Sequence, residues 1–197
     1  ADEPDSAHAR GQIDAFAALD VPPALERSLA NSAAVIAWPG ARHDWARPGL
    51  MLYGCDPLVA APPADGGARA TLRPAMRVTT TLLSVKEMAA GQGVGYAQTW
   101  RCPERMRVGL ARVGYGDGLP RVLDERARVS VGGADCPIVG RVSMDSIAID
   151  LRRASQASVG DRVMLWGPGQ PVERLAASAG TIAYELLTGI RGHRGPA

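Results

Sequence analysis

The ten residues Gly91–Trp100, Gly-Gln-Gly-Val-Gly-Tyr-Ala-Gln-Thr-Trp, place three glycines at alternate positions ahead of a tyrosine. The backbone is almost uncovered there, so another surface can approach closely, and Tyr96 is presented to it. Two readings fit. In one, Tyr96 is an amphipathic residue of an edge strand, its ring half-buried and its hydroxyl wet. In the other, its phenol is a positioned acid or base. A phenol ordinarily titrates near about 10 and is a weak base at neutral pH, so that reading also requires a nearby positive charge. Tyr115, within Gly114-Tyr115-Gly116-Asp117-Gly118, is the competing phenol.

Other chemistries find little support. Cys55, Cys102 and Cys136 are odd in number and widely spaced, which fits reduced thiols and offers neither a disulfide framework nor a zinc pattern. His8, His43 and His193 are equally dispersed, so no metal site is expected. A formal net charge of +2, with basic residues scattered along the chain, argues against nucleic acid as a partner. No apolar run is long enough for a membrane span, and the acidic opening Ala1-Asp2-Glu3-Pro4-Asp5 is unlike a signal peptide. A cytoplasmic protein is expected. The chain starts without methionine, which fits either processing or a missing N-terminal part of a longer protein.

The elements that must position Tyr96 follow from periodicity. Asp5 or Ser6 can cap a helix carrying Ile13, Phe16, Ala17 and Leu19, ending before Pro22-Pro23. The apolar run Ala33–Trp38 suits a strand buried on both faces, as in a parallel sheet. Pro57–Gly67 is the best linker candidate. Beyond it, short β-type runs are expected near Met76–Val85, Tyr96–Trp100, Met106–Val113, Arg128–Val131, Ile138–Val142, Ile147–Asp150 and Arg162–Trp166, with a primed hairpin turn at Gly132-Gly133. Their number and spacing argue for an antiparallel sandwich or small barrel. Two helices, Val172–Ala179 and Ile182–Leu187, the second capped by Thr181, should close the chain.

Taken together, Asn31-Ser32, Arg47-Pro48-Gly49-Leu50-Met51-Leu52-Tyr53-Gly54, Val94-Gly95-Tyr96, Gly114–Gly118 with Arg121, Pro137–Arg141 with Ser143-Met144-Asp145, and Thr181–Glu185 resemble, in order, the motifs of alanine racemases. The resemblance runs from about the first helix to Leu187. It implies a fold of mixed α/β then mostly β character: residues 1–56 as the last units of a (β/α)8 barrel, 57–70 as linker, and 71–197 as an antiparallel β-barrel-like C-terminal domain. It also implies pyridoxal 5'-phosphate as cofactor, alanine as substrate, and a homodimer whose active site is shared between subunits.

The residue roles follow from the same resemblance. Tyr96 is expected to be the acid–base catalyst contributed to the partner subunit's site, opposite the lysine that holds the cofactor. Arg47 is expected to donate to the pyridine nitrogen, which keeps the ring a modest electron sink. Ser32, the amides of Gly49 and Leu50, and the Tyr184 hydroxyl are expected to hold the phosphate, and the Met144 amide the substrate carboxylate. Tyr115, Arg121, Arg141 and Asp145 are expected to line the substrate access channel. On the residues alone, Arg47 reads as a surface arginine in a turn, Ser32 as a loop hydroxyl, Tyr184 as an amphipathic helix residue, and Asp145, Arg121 and Arg141 as ion-pair scaffolding.

The family's cofactor-bearing lysine has no counterpart here. Lys86 is the single lysine, and it falls in a β-type run beside Glu87, where an exposed residue is expected. The chain is therefore expected to be the C-terminal half of an alanine racemase, inactive alone, with the strand near Val35 left exposed. Two other classes remain open: a non-catalytic β-domain binding or oligomerisation module, and a fragment of a broad-specificity amino-acid racemase.

Overall fold

The computed structural model describes residue 3, residues 6–58 and residues 72–191. The proposed linker lies largely outside the described residues, as does Asp5. The chain divides into two compact units, Ala1–Ala75 and Met76–Ala197.

In the first unit, helix α1 (Ala7–Ala17) is capped by Ser6, whose Oγ accepts from the Ala9 amide at 3.3 Å. Leu19 lies beyond the helix and is exposed. Strand β1 (Ser28–Asn31) then leads into helix α2 (Ser32–Ala37). The expected strand over Ala33–Trp38 is thus a helix. Its cause is local: the Asn31 side chain accepts from the Ala34 amide at 3.0 Å, an N-cap bond, and Ala33, Ala34 and Ala37 favour helix. The parallel pairing instead joins β1 to β2 (Trp45–Arg47), which leads into the short helix α3 (Gly49–Leu52). Val35 accordingly sits on a helix, half-buried, and packs against a small core of Ala9, Ala30, Ala33, Ala34 and Trp38.

The second unit is a closed barrel of six strands, all pairs antiparallel. They are β3 (Val78–Met88), β6 (Met106–Ala111), β7 (Arg128–Val131), β8 (Ala134–Val139), β9 (Ile147–Asp150) and β10 (Arg162–Trp166), in the order β10-β3-β6-β9-β8-β7. Closure removes every sheet edge, and alternate residues fill the interior. Leu82, Val129, Val131, Cys136, Ile147, Ile149, Val163 and Leu165 are fully buried. The β7–β8 hairpin turns at Gly132 and Gly133, both with positive φ (58° and 85°), the geometry of a type I′ turn. Helices α4 (Val172–Ser178) and α5 (Ala183–Gly189) follow. Ile182 stands at the N-cap of α5, and Thr181 instead donates its hydroxyl to the Glu185 carboxylate.

The expected strand Tyr96–Trp100 is corrected as well. Two two-residue strands, β4 (Gly93–Val94) and β5 (Trp100–Arg101), pair antiparallel, and Tyr96–Gln98 forms the turn that joins them. Ala97 and Gln98 carry positive φ (59° and 48°), which no strand accommodates.

Burial, reinforced by the charges of Asp150 and Asp135, pushes the Cys136 thiol from 9.0 up to about 11. A raised thiol pKa favours the neutral form in the folded state. That contribution is fully present below pH about 9 and is lost as pH climbs towards about 11. Urea unfolding of the chain across that window should therefore show stability falling with pH, and Cys136→Ala should flatten the slope relative to the parent. Parallel slopes would contradict the assignment.

Candidate functional site

In the first unit, β1 and β2 run parallel and each hands over to a helix at the same end. Ser32, the first residue of α2, is completely buried, and its Oγ accepts from the Met51 amide at 3.3 Å in the first turn of α3. Gly49 and Leu50 open α3, so their amides have no intrahelical acceptor. Ser32, Gly49 and Leu50 are therefore brought together around one set of converging donors, an arrangement that suits a phosphate group. Arg47 ends β2. Its guanidinium donates to the Ser28 Oγ at 2.7 Å and to the Leu29 carbonyl at 3.1 Å. Two of its five N–H groups are used in fixing it, and the others have no acceptor among the described residues, which leaves them to meet a ring nitrogen. No sequence pattern marks Ser28, whose contribution appears only when β1 pairs with β2.

In the second unit, Tyr96 occupies the tip of the β4–β5 hairpin and is 69% exposed. The hairpin is held at its base by Gly91 N–H to the Cys102 carbonyl (2.8 Å), Cys102 N–H to the Gln92 carbonyl (2.9 Å), and an Arg101 side-chain bond to the Gly91 carbonyl (2.9 Å). Its flank rests on the loop after β8. A Cβ at Gly140 would stand 2.9 Å from the Val94 carbonyl oxygen, and one at Gly95 would stand 3.4 Å from the Arg141 nitrogen. Gln98 folds back over Gly93 so closely that a Cβ there would meet its side chain at 2.5 Å. Nothing in the residue type of Gln98 announces that role.

Tyr115 and Met144 are joined through their backbones. Tyr115 N–H donates to the Ser143 carbonyl at 3.0 Å and Gly116 N–H to the Met144 carbonyl at 2.9 Å. Asp117 accepts from the Gly114 amide at 2.9 Å and closes this turn on itself. Tyr115, Met144 and Asp145 are exposed on the two joined loops. Arg121 and Arg141, also exposed, line a groove of about 490 Å³ together with Thr99 and Trp100, the residues that follow the Tyr96 turn. Neither arginine has an ion-pair partner among the described residues, in contrast to the scaffolding reading. Tyr184 lies in the first turn of α5 and is 40% exposed. Lys86 lies on β3 and is exposed, as expected, while the neighbouring Glu87 pairs with Arg105 at 2.8 Å.

Against known proteins, residues 75–196 match the family described as alanine racemase, C-terminal domain, and residues 1–57 match alanine racemase, N-terminal domain. The chain belongs to the alanine racemase family. It is 46% identical over 187 residues to the alanine racemase of Shewanella denitrificans, covering 95% of this chain and 50% of that protein. It is 50% identical over 171 residues to that of Nitrosococcus oceani, covering 86% of this chain and 47% of that protein. Among solved structures, the biosynthetic alanine racemase of Pseudomonas aeruginosa superposes with a TM-score of 0.86 at 42% identity, over 99% of this chain and 53% of that one. The alanine racemase of Bartonella henselae, solved with covalently bound pyridoxal phosphate, gives 0.81 at 30% identity over 97% of this chain and 52% of that one. The chain thus spans about half the length of these relatives.

Gly114 tests the backbone joint between the Tyr115 and Met144 loops. Its φ is −150°, open to any residue, so a substitution there acts through sterics alone, and a Cβ would lie 2.2 Å from the Met144 oxygen. Gly114→Ala should destabilise the chain by about 3 kcal/mol in urea unfolding, whereas Gly91→Ala, at positive φ but with nothing within 4 Å, should cost about 1 kcal/mol. Equal losses would mean that close approach at Gly114 does not hold the joint.

Proposed function

We propose that this chain is the C-terminal part of an alanine racemase that interconverts L-alanine and D-alanine, with Tyr96 as one of two bases acting on opposite faces of the substrate α-carbon. The observation that carries the reading is the exposed Tyr96 hydroxyphenyl at the tip of an anchored hairpin, on a chain whose family is alanine racemase. Such a tip suits a residue that works in a site formed with a partner subunit, and the active assembly is a homodimer.

The first unit's donors fit pyridoxal 5'-phosphate. Ser32 and the Gly49 and Leu50 amides would hold its phosphate, and Arg47, fixed by Ser28 and Leu29, would donate to its ring nitrogen. When bound, the cofactor supplies a sink for the electron pair left on the α-carbon. The Met144 amide orients the substrate carboxylate. Tyr115, Arg121, Arg141 and Asp145 line the approach and select an anionic amino acid end while excluding bulk water. Tyr96 removes or returns the α-proton on its own face, and the opposite face is served by the lysine expected from the part of the barrel that this chain lacks. Lys86, on the barrel wall, does not fill that role, so the isolated chain is inactive. The physiological setting that fits is the bacterial cytoplasm, where D-alanine is supplied for peptidoglycan.

Three measurements test this. Pyridoxal phosphate added to the chain, followed by borohydride reduction and peptide mass mapping, should leave no adduct on Lys86; a retained absorption band with the adduct there would overturn the assignment. Mixing the chain with the N-terminal half of a related racemase should restore racemisation, and Tyr96→Phe should lower it by about 10²–10⁴-fold. In that variant, α-proton exchange with solvent should persist for one enantiomer and vanish for the other. Loss of exchange for both, with the fold intact, would argue against a one-face role for Tyr96.

A further inference from the structure

The outer wall of the barrel carries a second groove, of about 240 Å³, which adjoins the first through Arg141. Strand β3 contributes Ser84, Lys86 and Met88, alternate residues that share one face. The β4 hairpin contributes Gly93–Gly95, and the loop after β8 contributes Arg141 and Ser143. Its floor is apolar, formed by Val94, Val108 and Ala148.

The charge balance of this groove is one-sided. Two cations, Lys86 and Arg141, line it, and none of its lining residues is acidic. Neither cation makes an ion pair among the described residues. The carboxylate nearest in strand register is Asp150, which faces Val108 on β9. It is buried, and the Arg152 guanidinium occupies both of its oxygens, at 2.7 to 3.1 Å. Glu87, next to Lys86 on β3, pairs with Arg105 instead, so the groove's open cations are a local feature rather than a property of the whole wall.

We infer that this groove binds a small aliphatic carboxylate, its charged end between Lys86 and Arg141 and the hydroxyls of Ser84 and Ser143, and its hydrocarbon end on Val108 and Ala148. The volume admits a molecule of a few carbons, and the apolar floor favours an organic acid over a fully hydrated inorganic anion. Binding at this site requires neither cofactor nor turnover. It shares Arg141 with the access groove, so occupancy would draw on a residue of that channel.

Because Lys86 is the single lysine of the chain, its reactivity reports the site directly. Acylation of Lys86 by a succinimidyl ester, followed by peptide mass mapping, should slow about tenfold when butyrate is present at ten times its dissociation constant. Arg141→Met should abolish that protection, whereas Arg162→Met, on a different part of the barrel, should leave it intact. Sodium chloride at equal ionic strength should protect far less. An unchanged acylation rate, or equal slowing by chloride, would overturn the site. Equal protection by inorganic phosphate would overturn the carboxylate assignment. None of these outcomes depends on racemisation, so a failure here and a failure of the racemase reading are distinguishable.

Discussion

Backbone passing directly against backbone is the contact on which the second unit's site depends. The Tyr96 hairpin, the Tyr115 turn and the Met144 loop are far apart in sequence, and no side-chain bond among those three residues draws them together. They meet because glycines stand where the chains cross. A side chain at Gly140 would run into the Val94 carbonyl, and one at Gly114 would run into the carbonyls of Ser143 and Met144 at 2.3 and 2.2 Å. Main-chain bonds from Tyr115 and Gly116 then fix the register of the last pair. The side chains of Tyr96, Tyr115 and Met144 are left exposed, because none is needed to hold the loops.

The closed barrel beneath makes these crossings possible. With every strand paired and the interior filled by branched aliphatic residues, the loops attach to a rigid rim. The first unit uses a different device for the same end. Its core is built largely from alanine, so α2 lies close to β1, and the first turns of α2 and α3 come near enough for Ser32 to accept from Met51. Larger core residues would push these helix ends apart. The donors that suit a phosphate are therefore a consequence of small side chains some residues away.

Much of this was legible in the sequence, and the exceptions have physical causes. The barrel strands were readable because alternation between an interior and an outer face leaves a period of two, as in Arg128–Val131 and Ile147–Asp150. The exposure of Tyr96 and Tyr115 was readable because the glycines around them leave the backbone uncovered. Ala33–Trp38 was misread because a short apolar run carries no period. The arbiter was Asn31, a capping residue immediately before it, and the alanines that follow. The linker assignment rests on residues outside the described ones. Ser28 and Gln98 were invisible, since each acquires its role only from a partner brought by the fold, Arg47 for one and Gly93 for the other.

The misreading of Tyr96–Trp100 as a strand has a deeper origin. Ala97 and Gln98 both sit at positive φ, a region that non-glycine residues enter at a cost of order 1–3 kcal/mol each. Neither residue type requests it. The surroundings impose it: the hairpin is bonded across its base, Gln98 is wedged over Gly93, and Val94-Gly95 is pressed on the Gly140-Arg141 backbone. An unstrained tip of Gly and Asn would hold the same turn at less cost, but with many more accessible conformations. In the proposed role, a phenol that meets one face of a substrate carbon would gain from having that freedom removed in advance, because ordering the tip at each encounter would subtract from transition-state stabilisation. The strain at Ala97 and Gln98 is thus coupled to the exposure of Tyr96: a side chain that is 69% exposed has little packing of its own to orient it, and the distorted backbone beneath supplies the orientation instead.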